Sequence, residues 1–229
     1  MNVFIEQLIT KGGYKTVLSG LLATIEIAVG GLIIGIILGT LIAVVRVMPK
    51  YKVMPRILDR ICDVYVAFFR GTPMTVQLLV GYWVLLPAIG LRLDAVVVAI
   101  IMFGLNSGAY VSEMMRSGIQ SVDIGQLEAA RAVGLPYSTA MIKIVIPQAI
   151  KNILPTLGNE FIVLIKDTSI CSFIAVTDLT KAFKNIADAN YEYVVPYLSL
   201  AAVYLVLVLG ITLLVKVMER RLNRSDRKQ

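Results

Sequence analysis

Two carboxylates stand in a mostly apolar stretch, residues 152–175, and are well placed to do chemistry. Glu160 and Asp167 are seven residues apart, close to two helical turns, so a helix presents them on one face. A carboxylate at the centre of a membrane helix costs about 2.5–3.5 kcal/mol unless it faces a cavity or a partner. The pair therefore predicts a binding site for an ammonium group or a cationic side chain. The alternative is a structural ion pair with Arg70 or Lys166.

A second candidate site is a predicted helix break at Arg70-Gly71-Thr72-Pro73. Pro73 lacks a backbone donor and Gly71 permits close approach, so the broken end can offer free backbone groups to a substrate carboxylate. Thr72 adds a hydroxyl, and Gln77 follows about one turn later. The alternative is a capped helix start, with Arg70 reaching lipid phosphate.

Small residues interrupt two other apolar runs. Residues 106–109 include Ser107, and they either line a substrate path or let helices approach each other. Glycines recur every four residues earlier in the chain, at Gly31, Gly35 and Gly39, and Ala43 follows them. This spacing favours close helix packing, within the chain or to a neighbour.

The composition places these residues in a membrane. Of the 229 residues, 58% are hydrophobic and 16% are charged, against about 25% charged in soluble domains. The chain has no histidine and two cysteines, which argues against His-based catalysis, a His-ligated metal site and a disulfide scaffold. Disordered chains are polar and highly charged, so disorder is excluded as well.

Long apolar runs predict five spanning helices, since a span needs about 20 apolar residues. Four runs carry no charge, at 27–45, 71–91, 95–112 and 194–215. The fifth is the stretch 152–175, which carries Glu160, Lys166 and Asp167. The first run is longer than the apolar core of a signal peptide, so we expect it to be retained.

Basic residues set the orientation of this bundle. On one side of the predicted spans lie 15 of the 22 Lys and Arg residues. The positive-inside rule places that side in the cytoplasm, with the N-terminus outside and the C-terminus inside. The net charge of +7 is then a topology signal and does not indicate nucleic-acid binding. We expect an extracellular segment at 1–16, a five-span domain at 17–217 and a basic cytoplasmic tail at 218–229.

The predicted cytoplasmic loop at about 116–150 has its own structure. Residues 128–133 are strong helix formers, Gly134 offers a helix C-cap, and Pro136 prevents continuation. A second helical piece is predicted at 138–145, running up to Pro147. By itself, this pattern fits either a docking surface for another protein or a plain connector.

The spacing within the loop reads EAA-x3-G-x9-I-x-I-P from Glu128 to Pro147. This pattern resembles the EAA loop of permease subunits in ATP-binding-cassette (ABC) importers, with Ile146 in place of a leucine. Residues 69–73, 108–113, 116–121 and 166–169 resemble the subfamily that imports polar amino acids. The resemblance runs from about residue 17 to residue 215.

The resemblance implies an all-α bundle, the type-1 ABC importer permease fold, whose EAA loop sits in a groove of an ATPase subunit. The implied coupling residues are Glu128, Ala129, Ala130, Gly134, Pro136 and Pro147. It also implies two ATPase copies that bind ATP and Mg²⁺, a second permease subunit that is the same or related, and an extracellular solute-binding protein. The chain lacks a phosphate-binding G-x-x-x-x-G-K-[ST] motif, so we expect it to bind no cofactor and to be no enzyme on its own.

Three other functions remain open at this point. An ion-coupled secondary transporter would also place carboxylates in the membrane, but it favours internal repeats, and none is evident. A membrane enzyme needs a nucleophile–base pair or a metal cluster. A purely structural assembly protein would not need charges inside a span.

Overall fold

The computed structural model describes residues 2–47, 53–189 and 191–226, and their regular structure is helical. The α-helices are α1 (Asn2–Ile5), α2 (Gly13–Val47), α3 (Val53–Gly71), α4 (Met74–Val80), α5 (Leu86–Ala88), α6 (Ala95–Gln120), α7 (Ile124–Ala132), α8 (Tyr137–Ala140), α9 (Ile146–Asp167), α10 (Leu179–Asp188) and α11 (Val194–Asp226). Three π-helical turns continue α1, α4 and α8, at Glu6–Thr10, Gly81–Leu85 and Met141–Val145. A 3-10 segment, Thr168–Ile174, continues α9.

Within these residues, three helices are long and apolar enough to cross a membrane. They are Gly13–Val47, Ala95–Gln120 and Val194–Arg221. They contain the predicted apolar runs 27–45, 95–112 and 194–215. The charge-free length of these runs therefore identified the helices correctly, although each helix extends beyond its run.

The helix break predicted at residues 70–73 is present, and the apolar run 71–91 forms a continuous helical piece only over Met74–Ala88. Helix α3 ends at Gly71, and the chain resumes as α4 after Pro73, whose ψ of 137° is extended. The helical piece Met74–Ala88 is about 22 Å long at 1.5 Å per residue, short of the roughly 30 Å apolar core of a bilayer. Charge-free length alone did not reveal this break, because Gly71, Thr72 and Pro73 are all uncharged.

The charged stretch also has different limits from those predicted. Helix α9 begins at Ile146, not near residue 152. A 3-10 helix follows it directly and ends at Ile174. Ala175 then adopts a left-handed conformation, with φ 65°, and ends the helical path. The π-helical turn Met141–Val145 joins α8 to α9, so the helical piece predicted at 138–145 does not end at Pro147 but continues into α9.

The centre of the structure is the contact between α2 and α6. A Cβ added to Gly31 would lie 2.9 Å from Cβ of Phe103, and one on Gly35 would lie 2.6 Å from Oγ of Ser107. The same construction on Gly39 reaches Cβ of Val111 at 2.7 Å. The glycines thus face residues of α6 spaced four apart. This confirms the packing interpretation of the glycine pattern and places it within the chain.

An apolar core surrounds this contact. Ile27 of α2, Leu78 of α4, Phe103 of α6 and Ile165 of α9 are fully buried against one another, together with Ile174. Helix α11 is far more exposed, with 6% of its most apolar window buried. Because α2, α4, α6 and α9 share one core, they form the part of the chain that positions internal polar groups.

A second apolar cluster closes one end of the bundle. Phe4 packs there against Leu179, Phe183 and Ile186 of α10, so the predicted 1–16 segment contributes a packed helix. Asp178 caps α10 by accepting hydrogen bonds from the backbone of residues 180 and 181, at 2.9 and 3.1 Å. Burial raises the pKa of the Asp178 carboxyl, and these backbone hydrogen bonds oppose the shift.

The glycine contact gives a stability prediction. Gly35→Ala places a methyl group against Ser107 and is expected to lower the free energy of unfolding by about 1–3 kcal/mol. Gly210 on α11 has no atom within 4 Å of an added Cβ, so Gly210→Ala is the matched control and is expected to be neutral or slightly stabilising. Thermal unfolding of the purified proteins in detergent measures both. Equal stability of the two variants would contradict the packing assignment.

Candidate functional site

A buried carboxylate, Glu160, lies between α6 and α9. Ser107 donates a hydrogen bond from Oγ to Oε1 of Glu160 at 2.9 Å, and both side chains are buried. Glu160 is 7% exposed, so it keeps a small opening to its surroundings. One hydrogen bond leaves most of the acceptor capacity of a carboxylate unused. The remaining capacity suits an ammonium group.

Neither of the two basic residues considered as ion-pair partners of Glu160, Arg70 and Lys166, is paired with it in the structure. Arg70 lies 3.9 Å from Oε2 of Glu113 and stacks over the ring of Tyr110, 5.4 Å from its centroid. Lys166 is exposed on another face of α9. Asp167 is half-buried at the end of α9, seven residues after Glu160 on the same α-helix. The two carboxylates thus share a face, as the spacing predicted, and the structural ion pair is absent among the described residues.

The helix break is held together by side chains. Nε2 of Gln77 donates to the carbonyl oxygens of Phe69 (2.8 Å) and Thr72 (3.0 Å) and to Oγ1 of Thr72 (2.7 Å). Thr72 in turn donates from Oγ1 to the carbonyl oxygen of Phe68 at 2.8 Å. Three carbonyl oxygens at the break are therefore bonded within the protein. A substrate carboxylate would need backbone N–H donors instead, so binding of a carboxylate at this break stays a prediction. Gly71 is exposed at the end of α3, with open space around its Cα.

Asn106, which belongs to the run 106–109 singled out in the sequence, links this break to α6. Its Nδ2 donates to Oε1 of Gln77 at 2.9 Å and to the carbonyl oxygen of Phe69 at 3.2 Å. The next residue, Ser107, donates the hydrogen bond to Glu160. Consecutive residues of one helix thus reach two different partners, the break before α4 and the carboxylate of α9. The juxtaposition requires tertiary packing, which no local spacing in the sequence revealed.

A cluster of charges, also missing from the predicted site, joins α2, α3 and α6 one to two turns beyond Ser107. Arg46 forms a hydrogen-bonded ion pair with Glu113 and a second ion pair with Asp63 at 2.9 Å. Arg116 donates from its guanidinium to Oε2 of Glu113 at 2.8 Å. The spacing of Glu113 and Arg116, three residues apart on a helix, was the signal in the sequence that identifies this pair.

The loop predicted to couple to a partner forms a capped helix. Asp123 accepts a hydrogen bond from the backbone N–H of Gly125 at 2.7 Å and caps α7. At the other end Gly134 has φ 86°, and the N–H of Leu135 donates to the carbonyl oxygen of Ala130 at 3.2 Å. This is a Schellman turn, which glycine permits because it lacks a Cβ. Gly134 therefore ends α7 as predicted, and Pro136 immediately precedes α8.

Exposure divides the EAA residues into two groups. Ala130 is 5% exposed and packs inward, whereas Glu128 and Ala129 are exposed. Large apolar side chains accompany them on the surface, including Ile124 at 69% and Val133 at 77% exposure. Helix α7 thus packs inward through Ala130 and presents outward an apolar surface that carries the charges of Glu128 and Arg131. Such a surface is typical of a protein interface.

Within the described ranges, no three Cys, Asp or Glu side chains are grouped to hold a metal ion. The substrate-site candidates fall into two groups, Ser107 with Glu160 and Asp167, and Thr72 with Gln77. The coupling candidates Glu128, Ala129, Ala130, Gly134 and Pro136 share one surface loop, and Pro147 begins α9. The first group can bind a cationic group, and the loop can bind a protein.

Curated proteins with similar sequences are permeases. The chain is 39% identical over 92% of its length to the arginine transport system permease protein ArtQ of Bacillus subtilis, of which it covers 94%. It is 38% identical over 90% of its length to the putative glutamine transport system permease protein GlnP of Rickettsia bellii, covering 92% of that protein. It is also 38% identical over 90% of its length to the L-cystine transport system permease protein TcyB of Bacillus subtilis, covering 86% of it.

Solved structures show the same fold. A chain in the crystal structure of an amino acid ABC transporter with histidines superposes with a TM-score of 0.85 at 38% identity, covering 93% of this chain and 97% of that one. A chain of the inward-facing MetNI methionine ABC transporter superposes with a TM-score of 0.70 at 17% identity, covering 93% and 96%. The second likeness supports the fold alone.

The family model for binding-protein-dependent transport system inner membrane components matches residues 31–224. Members of this family are multi-pass inner-membrane permeases of ABC importers. In these assemblies separate ATPase subunits hydrolyse ATP, and the family description implies a binding protein. The family match covers most of the chain, and the helical bundle and the capped loop helix described above lie within it. The chain therefore belongs to the family of binding-protein-dependent transport system inner membrane components, as an ABC importer permease subunit.

Proposed function

We propose that this permease imports a polar amino acid and that its substrate passes beside Glu160. The single observation that carries the proposal is the similarity, over about 90% of the chain, to permeases named for arginine, glutamine and cystine. These three amino acids differ in side-chain charge but share an α-ammonium and an α-carboxylate. A carboxylate that binds the common ammonium group suits all three.

The proposed topology has five crossings, with the N-terminus outside and the C-terminus in the cytoplasm. Helices α2, α6 and α11 are three crossings, α3 with α4 form a broken second one, and α9 with its 3-10 extension forms the fourth. The boundaries remain 1–16 for the outer segment, 17–217 for the permease domain and 218–229 for the basic tail, of which 227–229 lie outside the described residues. The support is the concentration of Lys and Arg at one end of these helices.

In the proposed site Glu160 binds the substrate ammonium group, and Ser107 orients Glu160. Asp167 contributes negative charge at the outer end of the same helix face. Arg70, Gly71, Thr72 and Gln77 shape the opposite wall. Because Thr72 and Gln77 bond to each other, we propose that they hold the wall in place more than they contact substrate.

The proposed partner of α7 is an ATPase subunit, present in two copies that bind ATP and Mg²⁺. A second permease, identical or related, completes the pathway, and an extracellular binding protein delivers the substrate. Closure of the ATPase dimer moves α7. Since three residues separate α6 from α7, and α8 continues through a π-helical turn into α9, the movement reaches both helices that hold Ser107 and Glu160.

Reconstitution tests the import function. The permease, its ATPase and its binding protein are placed in proteoliposomes, and uptake of a panel of radiolabelled amino acids is measured with and without internal ATP. We expect ATP-dependent uptake of at least one polar amino acid. Uptake that persists without the ATPase chain would instead identify an ion-coupled secondary transporter.

Glu160→Gln tests the site. The amide keeps the size of the side chain and can accept the Ser107 hydrogen bond, but it loses the charge. A hydrogen bond to a charged group contributes about 1.5–3 kcal/mol, so we expect uptake at low substrate concentration to fall about 10–100-fold. Thermal stability measured on the same preparation should change little. Wild-type uptake by this variant would assign Glu160 a structural role.

Glu128→Lys tests the coupling helix. Glu128 is exposed, so the substitution should leave the fold and membrane insertion intact. Residues that dominate an interface contribute about 2 kcal/mol or more, so we expect at least about 30-fold weaker ATPase association and loss of transport. Glu219→Lys on α11 makes the same charge change away from α7 and serves as control. Unchanged assembly and uptake in Glu128→Lys would refute the coupling assignment.

A further inference from the structure

An open cavity of about 700 Å³ lies beyond the Ser107–Glu160 pair, between the end of α6 and the start of α9. It begins near Thr156, which is one helical turn before Glu160, and extends to Lys151. Ser117 and Arg116 of α6 form the facing wall, and Arg70 contributes the rim. The cavity belongs to the end of the bundle where basic residues concentrate.

The charge of this cavity is unbalanced. Three basic side chains, Arg70, Arg116 and Lys151, line it together with one acidic side chain, Glu113. Glu113 is already shared, because it pairs with Arg46 from outside the cavity as well as with Arg116. One carboxylate is thus shared among three guanidinium groups, those of Arg46, Arg70 and Arg116, and the excess positive charge of this group attracts an anion.

Arg116 also has a donor without a partner. Its Nη2 donates a hydrogen bond to Oε2 of Glu113 at 2.8 Å, and its Nη1 donates to Oε1 of Gln120 at 3.4 Å. Its Nε is buried and makes no hydrogen bond within the described residues. A buried N–H that stays unpaired is costly. Because Arg116 lines the cavity, a small shift of its side chain would let this donor meet an oxygen acceptor bound there.

We propose that this cavity binds a phosphate group, presented by the headgroup of an anionic phospholipid or as free phosphate. Guanidinium groups suit phosphate because several of their N–H donors match its oxygens. Hydroxyl groups of Ser117 and Thr156 stand in the same lining. Basic pockets between membrane helices hold acidic lipid headgroups in this way.

The remaining lining distinguishes the cavity from a purely aqueous one. Met114, Ile153 and Pro155 add an apolar wall beside the basic residues. A headgroup with the first atoms of its acyl chains fits such a mixed surface. Arg70 borders both this cavity and the proposed substrate site, but Arg116 and Lys151 line the cavity alone, so substitutions there test the phosphate site independently of Glu160.

Lipid retention tests the proposal. The purified full chain is exchanged into micelles containing equal amounts of phosphatidylglycerol and phosphatidylcholine, and lipids bound per chain are counted by native mass spectrometry. Binding of inorganic phosphate is measured in parallel by thermal shift. The variants are Arg116→Gln and Lys151→Gln. Lys143→Gln removes an exposed lysine outside the cavity and is the matched control.

We expect selective retention of phosphatidylglycerol that falls about fivefold in each cavity variant and stays unchanged in Lys143→Gln. Binding of inorganic phosphate with the same dependence, without lipid selectivity, identifies free phosphate as the source. Lys151→Gln keeps the test valid if Arg116→Gln fails to fold, because Lys151 lies outside the Glu113 cluster. Equal retention of both lipids, with phosphate binding absent or insensitive to the two cavity substitutions, overturns the proposal.

Discussion

The close contact of α2 with α6 is the constraint on which the rest of the structure depends. Gly35 leaves so little space that a Cβ there would meet Ser107. The hydroxyl of Ser107 is thereby held facing α9, where it donates to Glu160. A carboxylate inside a membrane protein is costly unless it is paired, and this contact provides the pairing without neutralising its charge.

The same two helices connect the buried site to the exposed loop. Helix α6 passes through a three-residue turn into α7, and α9 begins after the π-helical turn that continues α8. Asn152 donates to Ser121 at 2.9 Å, and Gly118 packs tightly against Ile153, so the ends of α6 and α9 are fastened together. A displacement of α7 therefore acts on a hairpin whose far part holds Ser107 and Glu160. Short connections and a rigid contact favour transmission of such movements.

Local patterns in the sequence identified much of this arrangement. Apolar length located α2, α6 and α11, the glycine repeat predicted a packed face, and the helix former–Gly–Pro order predicted the end of α7. The break before α4 was suspected from Gly71 and Pro73, but its limits depend on the side chain of Gln77 bonding to the backbone. The extent of α9 was misjudged because its apolar run begins only after Lys151, whereas the helix already begins at Ile146.

Residues that meet only through the fold were beyond such patterns. Asn106 and Gln77 are 29 positions apart, and Arg46 and Glu113 are 67 apart. Ser107 was singled out as a small residue on a path, but its partner lies 53 positions away on α9. Only the packing of α2, α6 and α9 brings these groups together. The polar interior of this permease is therefore a tertiary property built on locally predictable helices.

The central claim is that a substrate ammonium group binds Glu160, and a distance measures it most directly. The complex is loaded with a ¹⁵N-labelled amino acid that it transports, with glutamate side chains labelled by ¹³C at the carboxyl. Dipolar-recoupling solid-state NMR then reports the carboxyl-to-nitrogen distance, and Glu160→Gln identifies the signal. A charge-assisted hydrogen bond of about 2.8 Å between N and O predicts a strong coupling that disappears in the variant. A coupling that is absent, or that persists in Glu160→Gln, would contradict the account.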